Sequence, residues 1–237
     1  ELMQYDNMIG RNSNFRFSDF SSIWYTIDPS IFFKRLTEKE GEEVFENLYR
    51  ENPLFVLNFH NGVMHADILF KSYPNQKILH VVRNPIDLIY AWFKKGYGRK
   101  ETYESPRFGT LQYKYNNLIL PYYAKYWEEE FLNLGEMDRI INLIYKIHNL
   151  HQSSYDMLEQ ENKQKIRTIY FDDFAQDTES ELNKICTFIT APQTLYTPIA
   201  LKREKLPRKI DPKELSNKNK LIRKNSSKKY HCLIDEL

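Results

Sequence analysis

The chain is poor in the residues that make loops, staples and metal clusters. Two cysteines in 237 residues, Cys186 and Cys232, exclude a disulfide framework and a cysteine-based metal cluster. Cys186 lies on an apolar helix stripe and reads as a buried free thiol, which fits a reducing compartment such as the cytoplasm. Seven glycines and ten prolines exclude a loop-dominated or low-complexity chain. No apolar run approaches the roughly 20 residues that a membrane-spanning helix needs. No leader peptide is visible, although the sequence opens on Glu1 rather than methionine, so that an upstream piece is expected.

What is present suffices for one sizeable α/β domain spanning residues 1–237. Hydrophobic residues make up 41% and aromatics 15%, enough for a core. The net charge of +2 hides an asymmetry: residues 202–229 carry 12 Lys/Arg against 3 Asp/Glu, a local +9, and the remainder is −7. A basic tail on an acidic body points to a phosphate or polyanion contact, or to a solvated helical surface.

Periodicity supplies the elements. Residues 1–36 show no clear period and read as irregular with short helical pieces. Residues 37–52 read as a helix opened by a Thr37–Glu40 capping box, with Val44, Phe45 and Leu48 inward. "LFVLNF" (54–59) and "KILHVV" (77–82) read as strands buried on both faces, with a helix over 62–73 between them. Asn84 suits an N-cap, Pro85 the first helical position and Asp87 the third, opening a helix with Leu88, Ala91 and Trp92 on one face. Residues 111–151 read as a long aromatic helical stretch. "IRTIYF" (166–171) is a third strand, followed by a helix with a Thr178–Glu181 capping box and a stripe of Leu182, Ile185, Cys186 and Ile189. A short helix, "KYHCLIDEL", ends the chain. Strands alternating with helices imply an open parallel sheet flanked by helices.

Ligands bind such sheets beyond the carboxyl ends of the strands, so the residues standing there matter most. They are His60 after the first strand, Arg83 after the second, and Phe171-Asp172-Asp173 at the third. Arg83 beside a helix N-terminus is suited to clamp a phosphate; a structural salt bridge to Asp87 or Asp173 is the alternative. His60 suits a general base near neutral pH or a structural role in its loop. His65 faces a helix and is a weaker candidate. His148 and His151, three apart on a helix, make half a metal site with no third ligand nearby, so no metal is expected.

The series "LFVLNFH", "KILHVVRNPIDLIYAW" and "IRTIYFDDFAQDTESELNKICTFI" resembles the sulfotransferases that use 3′-phosphoadenosine-5′-phosphosulfate. The likeness spans roughly residues 53–95 and 165–190, with a weaker echo in the tail. Its most specific part is a strand followed by "RNPxD" and an aromatic helix, with a histidine 23 residues upstream. The resemblance implies a P-loop nucleotide-kinase-like fold, no metal, and sulfuryl transfer to a hydroxyl acceptor, a small molecule or glycan, with carbohydrate favoured. It implies Arg83 as the grip on the cofactor's 3′-phosphate and His60 as the base. It also assigns Ala91, Phe171, Arg203 and Arg208 to cofactor-binding positions, the two arginines through a loose match to a basic segment.

The sequence departs from that pattern in four places. Ala91 stands where the family has a serine, Asn58 where it has a lysine, and Phe171 where it has the tyrosine of "YED", with Tyr170 adjacent. No glycine-rich "SGTT" loop is found to cradle the 5′-phosphosulfate; "PRFGT" (106–110) follows no strand. The first strand and its loop are therefore expected upstream of Glu1. Two rival readings remain. A phosphate-transferring enzyme of the same architecture would need a GK[ST] loop, which is absent. A nucleic-acid binder would use the basic tail, which has few interleaved aromatics.

Overall fold

A computed structural model describes residues 61–99 and 111–237, together with Ser30, Glu46, Arg50, Leu54 and 56–58 before them. The chain divides into two compact units; the larger is Asn61–Gln193 with Glu204–Leu237, and the smaller includes Thr194–Arg203.

In the larger unit a 3-10 turn, Gly62–His65, leads into α1 (Ala66–Ser72), then β1 (Ile78–Val82) and α2 (Pro85–Lys94). A hairpin follows, β2 (Gln112–Tyr115) and β3 (Leu118–Pro121), and then α3 (Glu128–Asn133), α4 (Glu136–Asp156) and α5 (Gln160–Lys163). β4 (Ile166–Tyr170) runs directly into α6 (Phe171–Gln176) and α7 (Thr178–Ile189). The smaller unit holds α8 (Thr197–Arg203), and the chain closes in the larger unit with α9 (Pro212–Lys224) and α10 (His231–Asp235).

β1 and β4 pair in parallel, with Ile78 opposite Ile166 and Val82 opposite Tyr170. The parallel sheet flanked by helices is the architecture expected from the sequence, with two strands among the described residues. It is covered unevenly. Ile78 and Ile166 pack against Ala66, Phe70, Tyr155 and Leu158, whereas Leu79 and Val81 are exposed. β1 is therefore not buried on both faces: helices cover it on the Ile78 side, and alternate side chains point to opposite faces.

The main core lies away from the sheet. Ile89 of α2, four residues of α4 (Met137, Ile140, Ile141, Ile144), Ile222 of α9, Tyr230 and Ile234 form one buried cluster. The helical period of these positions gives α4 a fully apolar stripe. On α2 the buried residue is Ile89, while the expected face of Leu88, Ala91 and Trp92 is half-buried. Two buried polar groups tie this core together. Asp138 accepts from the Ser227 amide at 2.7 Å and its hydroxyl at 2.5 Å. The Arg139 guanidinium donates to the carbonyls of Phe131, Leu134 and Gly98, so its charge is buried with partners.

Several expectations need correction. The long helical stretch begins at Glu128; residues 112–121 form a hairpin. Tyr115 pairs with Leu118 across Asn116-Asn117, and Asn116 takes a left-handed φ of 54°, the chemistry of a two-residue turn. The Thr178–Glu181 capping box does not form. Asp177 is the N-cap, the buried Thr178 donates back to the Phe174 carbonyl at 2.8 Å, and Glu181 pairs with Lys184. α7 follows α6 so closely that Thr178 is held by the preceding helix. The stripe of Leu182, Ile185, Cys186 and Ile189 is present but half-buried, so Cys186 is not a fully buried thiol.

At the described positions of "LFVLNF", Leu54 and 56–58 carry no strand pairing, and Leu54, Val56 and Leu57 are exposed. Apolar composition there is not matched by a ladder partner, and without one a strand does not form. Of the helix expected over 37–52, Glu46 and Arg50 are described and helical; the rest lies outside the described residues.

Candidate active site at the carboxyl ends of β1 and β4

The seam after β1 is built by its local sequence. Asn84 caps α2, its side chain accepting from the Ile86 amide at 3.0 Å, and Pro85 occupies the first turn. Proline there has no N–H to leave unsatisfied and a φ already set for a helix. The remaining free amides and the positive dipole end of this ten-residue helix face the space beyond the strand. Arg83 stands immediately before the cap and is exposed.

Neither salt bridge weighed for Arg83 forms. Asp87 is instead taken by Lys218 of α9, whose Nζ lies 2.6 Å from Asp87 and 2.6 Å from Glu214. The hydrogen bond to Asp87, then that to Glu214, pushes the Lys218 pKa up. Arg83 has no hydrogen-bond or ion-pair partner among the described residues.

The parallel register carries the second strand end to the same place. Val82 lies opposite Tyr170, so Arg83 and Phe171 each follow directly on one of two paired strand ends. Phe171 is half-buried and opens α6. Arg208 joins it from the basic tail: its amide donates to the Ala175 carbonyl at 2.8 Å. Its guanidinium sits 5.4 Å over the Phe171 ring, within cation–π range.

Arg83, Phe171 and Arg208 thus share one end of the sheet. Ala91 is half-buried two turns along α2 and offers no hydroxyl. Arg203 ends α8 in the smaller unit. His60 lies outside the described residues. Its successor is fixed: Asn61 adopts a left-handed φ of 65°, and its side-chain amide donates to the Tyr123 hydroxyl. The Tyr122 and Tyr123 rings lie tilted at 39° with centroids 3.9 Å apart. Burial, with a hydrogen bond to Tyr123, raises the Tyr122 pKa well above the usual phenol value.

The histidines gather elsewhere. His80 of β1 meets His151 of α4 edge to face at 5.4 Å. Burial lowers both pKa values, with like charge from neighbouring histidines adding, and His151 falls to about 4. His151 Nε2 is buried with no hydrogen-bond partner. No group of three or more His, Cys, Asp or Glu among the described residues is arranged to hold a metal ion. No helix among them is long and apolar enough to cross a membrane.

Two features of this end were not legible in the sequence. Lys218 lies 131 residues from Asp87, and only the basic tail hinted that a cation would return to the sheet. The Asn61–Tyr123 link joins segments with no shared pattern.

The sequence model of the family described as "Sulfotransferase domain" matches residues 4–235, nearly the whole chain. No curated protein and no solved structure matches. Sequence match and strand-end geometry agree, and the chain belongs to the sulfotransferase domain family, enzymes that transfer a sulfuryl group from 3′-phosphoadenosine-5′-phosphosulfate.

Proposed function

We propose that the chain holds the cofactor beyond the carboxyl ends of β1 and β4 and sulfates a carbohydrate hydroxyl, with His60 as general base. The carrying observation is Arg83: an exposed guanidinium without a partner among the described residues, beside a capped helix N-terminus. Such a group fits a phosphate dianion. The fork meets two oxygens at once, and the free amides and helix dipole add to it.

Roles follow from position. Arg83 binds the 3′-phosphate. Phe171 and Arg208, already in contact, form a flat cationic wall against which the nucleotide lies. Arg203 adds charge from the basic segment. Ala91 leaves the phosphate without a hydroxyl donor that the family usually supplies, so Arg83 carries more of the binding here. The bound cofactor supplies an activated sulfuryl group; the protein's part is positioning and charge stabilisation, as in phosphoryl transfer. His60 takes the acceptor's proton as the hydroxyl oxygen becomes nucleophilic. The carbohydrate reading is supported by the tyrosine pair Tyr122 and Tyr123, tied to the residue after His60, because aromatic faces suit sugar rings.

The test is transfer of labelled sulfate from the cofactor to panels of glycans and of small phenols. Labelled glycan is expected, with His60→Ala abolishing turnover and sparing cofactor binding. Labelling of phenols alone would sink the acceptor assignment, and full turnover by His60→Ala would sink the base.

A further inference from the structure

An open depression lies toward the amino end of β4, away from the proposed cofactor end. An open cavity of about 470 Å³ is lined by Arg167 of β4 and by Asn183, Lys184, Thr187 and Phe188 of α7. The spacing of the four α7 residues puts them on one flank of the helix, beside the half-buried stripe that faces inward.

Arg167 is the unexplained group. Its Nε is buried and has no hydrogen-bond partner, and no ion pair to it exists among the described residues. Burying a guanidinium N–H unpaired is costly, so this orphan donor calls for a partner. The other polar groups are already engaged. Lys184 pairs with Glu181 at 2.5 Å, Asn183 Oδ1 accepts from Gln193 at 2.8 Å, and Thr187 donates to the Asn183 carbonyl at 2.9 Å. Lys77 lies beyond them, 5.5 Å from the Phe188 ring, and donates to the Phe188 carbonyl and the Thr190 hydroxyl.

The local charge is therefore positive, with Arg167 alone lacking a partner, while the cavity wall is largely apolar. Phe188 contributes its ring to that wall. A bare inorganic anion would satisfy the arginine and waste the apolar wall; a neutral apolar molecule would do the reverse. We propose that this cavity binds a small apolar carboxylate, its head group on Arg167 and its hydrocarbon body against Phe188. Arg167 lies three residues before Tyr170, the last residue of β4, about 10 Å away at the strand rise. The site is thus distinct from the proposed cofactor end and independent of that reading.

The experiment is calorimetric titration of the full chain with octanoate, octanol and inorganic sulfate. Octanoate should bind saturably at one per chain with a dissociation constant below about 1 mM, and both octanol and sulfate should bind at least about tenfold more weakly. Arg167→Leu, which removes the orphan charge, should raise the melting temperature and weaken octanoate at least about tenfold; Arg167→Gln should weaken it likewise. The proposal is overturned by octanoate that fails to saturate by about 10 mM, by octanol or sulfate binding equally well, or by octanoate affinity that both Arg167 variants retain.

Discussion

Replacing His151 with phenylalanine should change how the protein's stability depends on pH. The imidazole packs against His80 and leaves Nε2 buried without a partner. Its pKa falls to about 4 in the folded chain, chiefly through burial and then through like charge from His80, His148 and His65. These histidines come from β1, α4 itself and the turn before α1, and no carboxylate offsets them in the shift. The unfolded chain, with an ordinary value near 6.5, takes up a proton first as pH falls. The stabilisation is thus fully present above about pH 6.5 and is lost as pH drops toward 4. At about 1.4 kcal/mol per pH unit, the fall from 6.5 to about 4 amounts to about 3.5 kcal/mol in full. The ring keeps some solvent contact, so about 1–2 kcal/mol is expected. His80, shifted the same way by burial and then His148, adds to the slope. The assay is urea unfolding of wild type and His151→Phe at pH 7, 5.5 and 4. Phenylalanine cannot take the proton, so the variant should gain on wild type by about 1–2 kcal/mol between pH 7 and 4. A stability difference that stays constant across this range would refute the reasoning, since carboxylate titration is common to both proteins.

Other perturbations have equally definite outcomes. Ala91→Ser should restore a donor along α2 and tighten binding of 3′-phosphoadenosine-5′-phosphate about fivefold by calorimetry, the worth of about 1 kcal/mol. Gly98→Ala should destabilise the fold by at least about 1–3 kcal/mol in chemical unfolding. The added Cβ would sit 2.3 Å from the Glu136 carbonyl oxygen, backbone that cannot swing aside. Lys218→Met should strand Asp87, and a double-mutant cycle with Asp87→Asn should return a coupling of about 1 kcal/mol; a coupling near zero would mean that this contact does not hold α9 on α2.

The sequence was most legible where local chemistry decides. Asn84-Pro85 set the start of α2, the β-branched runs set β1 and β4, and Arg83 and Phe171 followed as the residues on two strand ends. It misled where the answer depends on a distant partner. Tyr113 and Tyr115 read as part of a long helical stretch, but the Asn116-Asn117 turn folds them into a hairpin. Thr178 had the spacing of a cap but is claimed by the carbonyl of Phe174 in the helix before it. Arg167 gave no signal, because an arginine inside a β-branched strand looks like an ordinary edge residue. Asp87 is taken by Lys218 of α9 rather than by Arg83, a contact no spacing rule reports.

The central claim is that Arg83 grips the cofactor at the end of β1. Calorimetric titration of the full chain and of Arg83→Ala with 3′-phosphoadenosine-5′-phosphate tests it most directly. Wild type should bind with micromolar affinity and the variant about a hundredfold more weakly, the loss of a charge-assisted pair worth about 3 kcal/mol. Equal affinity in a variant that unfolds at the same temperature as wild type would contradict the account.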